Sequence, residues 1–131
     1  MLVRLILGVL GLFHLVNGLA MLVAPQAWAA AVVHLTTPGH LHAHFIADIG
    51  MAFAASGVGL LLGARRGGAN ATWAMAGATW PMLHALLHVK EWVLAGPPNM
   101  IGDLVSEGVG VILVGIVGVV AAWYRVRKGD A

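Results

Sequence analysis

Four long apolar runs dominate the chain, at about residues 5–23, 41–63, 71–95 and 101–123. Each is long enough to cross about 30 Å of hydrocarbon as an α-helix. Their continuity excludes a transmembrane β-barrel, whose strands alternate apolar and polar residues. Composition agrees: 60% of the residues are apolar and only 9% charged, against about 25% charged in a soluble domain. The predicted fold is all-α, an integral membrane four-helix bundle forming a single domain over residues 1–131.

The positive residues set the expected direction. Arg4 precedes the first run, Arg65 and Arg66 separate the second from the third, and Arg125, Arg127 and Lys128 follow the fourth. The other two connections carry no Lys or Arg. Positive loops stay on the cytoplasmic side, so both termini are expected inside, in a bacterial-type plasma membrane. Lys90 lies near an outer helix end, within reach of the surface by snorkelling. Trp92 suits the outer interface, and Trp73, Trp123 and Tyr124 the inner one. Residues 26–34 suit a short interfacial helix after Pro25. The first run begins like a signal peptide, but His14 and Asn17 interrupt its apolar core.

Seven histidines are unexpected in so apolar a chain. Counting inward from the outer end of each span, at 1.5 Å per residue, places the polar groups in three layers. His14 and His84 lie deepest. Asp48, His88 and Glu107 lie about 10 Å below the outer surface, and His44, Glu91 and Asp103 about 5 Å below it. Within helices the spacings agree, since side chains three, four or seven apart share a face. His84, His88 and Glu91 follow this rule, as do His44 with Asp48, Asp103 with Glu107, and His14 with Asn17. His34 and His40 are read as surface residues of the first outer connection, and His42 as facing headgroups.

Ionisable groups in a membrane are costly, commonly about 2.5 kcal/mol or more each. They persist by pairing, by hydration or by binding an ion. Imidazole with carboxylate suits Fe, Cu, Zn or Mn, and paired helices commonly present such ligands in a bundle core. The expected site is a mono- or dinuclear transition-metal centre in the outer half. Its ligands come from His14, His44, Asp48, His84, His88 and Glu107, with Glu91 and Asp103 as outer ligands or ligand partners. If the chain is an enzyme, metal-assisted redox chemistry on a small molecule from the outer side is expected; if not, a metal-binding or electron-transfer subunit of a larger complex. A b-type haem is an alternative, with His14 or His44 pairing with His84 or His88 across the iron. So is a cofactor-free network that moves protons, or a quinone pocket with Trp80 one turn from His84 on its wall.

Other chemistry is excluded or weakened. The chain has no cysteine, so disulfides, thiolate metal sites, iron–sulfur clusters and Cys nucleophiles drop out. Seven scattered Lys and Arg make no nucleic-acid footprint. The glycines at 108, 110, 115 and 118 suggest close helix packing on the fourth span, and Pro81 suggests a kink one turn before His84.

The segments Phe13-His14-Leu15 with Asn17-Gly18, His44-Phe45-Ile46-Ala47-Asp48-Ile49-Gly50, and His84-Ala85-Leu86-Leu87-His88 with Glu91 resemble small bacterial four-helix membrane proteins of the DoxX-like kind. The resemblance covers most of the chain. It implies a redox or quinone-linked membrane subunit, since the name-giving member is a subunit of a thiosulfate:quinone oxidoreductase. Expected partners are therefore the lipid bilayer, a quinone or small redox substrate, and a larger membrane complex or a second copy of the chain.

Overall fold

The computed structural model describes residues 1–32 and 43–128. His34, His40 and His42 lie outside the described residues, as do the first two residues of the expected second span. Every regular element among the described residues is helical: α1 (Leu2–Val23), α2 (Pro25–Val32), α3 (Ala43–Gly63), α4 (Asn70–Ala95), α5 (Ile101–Glu107) and α6 (Val114–Lys128), with a π-helical turn, Gly108–Leu113, joining the last two.

Three helices are long and apolar enough to cross a membrane: Leu2–Val23, Ala43–Gly63 and the continuous rod Ile101–Lys128. Helix α4 has 26 residues, but His84, His88, Lys90 and Glu91 make it more polar than the others. Large apolar side chains point outward in rows. On α1, Leu5, Val9, Leu12, Val16 and Leu19 are all exposed, a stripe too extensive for water and suited to lipid.

Helix α1 packs on α3, α3 on α4, α4 on α6, and α6 again on α1. Small residues permit this approach. A Cβ on Gly18 would lie 2.5 Å from the Gly50 carbonyl oxygen, and one on Gly115 would lie 2.6 Å from the Pro81 carbonyl oxygen. Gly115 thus accepts the backbone around Pro81, as close packing of the fourth span requires. Gly110 does not share this role, since a Cβ there would have no atom within 4 Å among the described residues.

Packing differs between the two ends. At the end bearing Arg4, Arg65 and Arg125, Leu7, Leu60, Ala74, Ala78, Ala121 and Ala122 form a dry core. Arg125 is buried there and donates to the carbonyls of Arg65 and Gly67, at 3.0 and 3.4 Å. Arg4 Nε donates to the Ala64 carbonyl at 2.9 Å. Both arginines therefore fasten the α3–α4 connection as well as carrying charge. At the other end the helices separate and leave a cavity.

Candidate functional site: a polar-walled cavity

Residues from α1, α2, α3, α4 and the α5–π–α6 rod enclose a cavity of about 600 Å³. Met21, Ile46, Ile49, Phe53 and Val111 give apolar walls, while His84, His88, Asp103, Ser106 and Glu107 bring polar groups. Volume and lining suit a small molecule, since ligand cavities span about 300–1,000 Å³ and combine apolar walls with a few converging polar groups.

The polar groups follow from helix geometry. His84 and His88 are one turn apart on α4, and their rings meet edge to face with centroids 4.9 Å apart. Glu107 comes from the end of α5 and crosses to α4. Its Oε2 accepts the Trp92 indole N–H at 2.7 Å and lies 3.2 Å from His88 Nδ1. An ionised carboxylate only accepts, so this arrangement places the His88 proton on Nδ1. Nε2 is left as a lone-pair acceptor for a ligand hydroxyl. Glu91 also approaches His88 Nδ1, at 3.8 Å, from a more exposed position.

The π-helical turn begins directly after Glu107. Such turns are rare and frequently occur at functional sites. Here the turn carries Gly110 and Val111 into the cavity wall. Its first residue, Gly108, lies against the outer edge of the Trp92 ring, 3.2 Å from where a Cβ would be.

On the opposite side, α2 lies against α1. Trp28 Nε1 donates to Asn17 Oδ1 at 2.9 Å. The short helix expected from sequence is present over Pro25–Val32, and this bond makes it part of the cavity wall.

The eight residues expected to share one metal centre do not assemble around a common point. Among the described residues, no group of three or more His, Asp and Glu is arranged to hold a metal ion. His88, Glu91 and Glu107 do meet, but both carboxylates approach the same His88 nitrogen. His44 and Asp48 pair with each other at 3.4 Å and line no part of the cavity. His14 is buried, yet Phe53 stacks on it with ring centroids 5.5 Å apart and also packs edge-on against His84. Neither His14 nitrogen has a hydrogen-bond partner among the described residues, and His14 does not line the cavity. The haem pairing of His14 with His84 or His88 therefore lacks one common space. The physical reason is that depth counts give layers but not azimuth. His44 and Asp48 share the polar layers while facing another direction.

The sequence places Trp92 at an interface and gives Phe53, Trp28 and Ser106 no part in the site. Trp92 carries a detectable signal, since it follows His88 by one turn on the same helix. Phe53 carries no polar signal and emerges only from packing. No family model, curated protein or solved structure matches this chain, so the DoxX-like resemblance has no support from these comparisons.

Proposed function

We propose that this chain is a four-helix integral membrane protein with both termini cytoplasmic, and that its outer-half cavity binds a small lipid-soluble molecule of the quinone class. In this reading α4 is the remaining span, tolerated in lipid because His84 and His88 face the cavity and Lys90 and Glu91 lie near its end. The observation that carries the proposal is the cavity itself. Its walls are apolar, and its polar groups converge from α4 and α5 on one His–carboxylate pair.

A quinone matches those requirements. Its ring suits the apolar walls of Ile46, Ile49 and Phe53, while Trp80, expected on that wall from sequence, packs behind Phe53 and His84 rather than lining the cavity. One of its oxygens, when reduced to a hydroxyl, is a donor for His88 Nε2. Trp92 fixes the carboxylate, which orients the imidazole. Binding and proton handling are the tasks these residues are suited to perform. A quinone-linked role beside an electron-transferring partner subunit fits that division of labour.

The test is a titration of detergent-purified protein with a short-tailed ubiquinol analogue, kept reduced so that its hydroxyl can donate to His88 Nε2, followed by tryptophan fluorescence. Saturable quenching is expected, because Trp80 and Trp92 lie beside the cavity histidines. His88→Ala is expected to weaken binding by roughly tenfold, about the value of one good hydrogen bond. Non-saturable quenching identical in both proteins would contradict the proposal.

A further inference from the structure

A second hollow runs along the outside of α1. Val9, Leu12, Val16 and Ala20 form its floor, and its volume is about 520 Å³. It is apolar and open toward the lipid side. Its inner edge is formed by Phe13, Asn17, Trp28 and Val32, and the same four residues line the central cavity. The two spaces are therefore separated only by a shared wall. The Trp28–Asn17 hydrogen bond, 2.9 Å long, spans that wall between α2 and α1.

We infer that this groove receives the isoprenoid or acyl tail of the molecule whose polar head occupies the cavity. The inference rests on the quinone-class reading given above. A lipid-soluble redox carrier has a polar ring and a long apolar tail, and the two require different surroundings. The cavity provides the polar contacts at His84, His88 and Glu107. The groove floor provides none, only methyl and methylene groups continuous with the bilayer. A tail lying there remains in hydrocarbon while its head reaches the histidines. Access is then lateral, from the lipid, through the wall that Trp28 and Asn17 hold closed. Helix α2, with eight residues, is short enough to shift without unpacking a spanning helix.

The test separates head from tail. Affinities are measured for a tail-less benzoquinol and for the same ring bearing a decyl chain, both kept reduced, in the wild type and in Ala20→Phe. Ala20 lines the groove but not the cavity and is exposed, so a larger side chain there fills the groove without crowding the core. Referred to its concentration in the detergent phase, the decyl compound should bind the wild type roughly tenfold more tightly than the bare ring, from the van der Waals contacts of its tail along the groove. In Ala20→Phe that advantage should shrink severalfold, while the bare ring binds as before. A second filled variant, Val16→Trp, should behave alike. Unchanged affinity for both compounds in both variants would overturn the tail path and leave the head site standing. Failure of the bare ring to bind the wild type would overturn the quinone reading, and the tail path with it.

Discussion

Glu107 accepts from two side chains at one carboxylate oxygen, and His14 has both ring nitrogens unpartnered among the described residues. These two residues look alike in sequence, each a polar interruption of an apolar span. Structure separates them by what surrounds each. Glu107 faces a cavity and is held by Trp92 and His88. His14 is 2% exposed and packs between aromatic rings. A buried polar group without a partner costs about 1–3 kcal/mol. His14→Leu is therefore expected to leave thermal stability unchanged or to raise it by about 1 kcal/mol, measured by detergent-solubilised unfolding. A loss of more than about 2 kcal/mol would show that His14 holds a hydrogen-bonded partner. At this scale, sequence identifies which polar residues matter as a set. It does not assign their azimuths, because those depend on how each helix rotates against its neighbours.

The helices themselves are legible to within a few residues. Long apolar runs have one economical conformation in lipid, and Pro97 with Pro98 marks the gap before α5. The π-helical turn is not legible. Nothing in Gly108–Leu113 distinguishes it from an α-helical stretch except its glycines, which also suit close packing. The structure divides those glycines into two kinds, and substitutions should divide likewise. Gly115→Leu must displace the Pro81 carbonyl, 2.6 Å away, and is expected to cost about 1–3 kcal/mol. Gly110→Ala meets nothing within 4 Å among the described residues and should change stability by less than about 0.5 kcal/mol. Unfolding midpoints of the two variants, compared side by side, check both. Equal losses would mean that the π-helical turn packs more tightly than its open surroundings indicate.

At the scale of the molecule, the account requires a dry end fastened by arginines and a hollow end carrying the polar residues. The charge pattern favours the arginine end as the cytoplasmic one. The chain lacks cysteine, so single cysteines report sidedness cleanly. Gly68→Cys lies in the α3–α4 connection, where a Cβ meets nothing within 4 Å among the described residues. Asn99→Cys lies in the exposed α4–α5 connection. A membrane-impermeant maleimide added to intact cells should label Asn99→Cys and spare Gly68→Cys. The reverse pattern would invert the topology and place the cavity on the inner side. The gathering of His84, His88, Asp103 and Glu107 at one end is foreseeable from ionisable groups that share one depth along the helices. Its form as a cavity is not, since empty volume is a property of packing between five elements rather than of any one sequence segment.

The proposed function requires this cavity to hold a lipid-soluble quinol through the His88–Glu107 pair, its hydroxyl donating to His88 Nε2. The most direct measurement is solvent extraction of protein purified from its native membrane, with chromatographic quantification of the quinones released and elemental analysis of the same samples. Wild type and His88→Ala are processed together. Quinone near one equivalent per wild-type chain is expected, with a several-fold loss in His88→Ala and folding retained. Quinone at the background level of the surrounding lipid in both proteins, with stoichiometric metal that falls in His88→Ala, would contradict it and establish a metal centre instead.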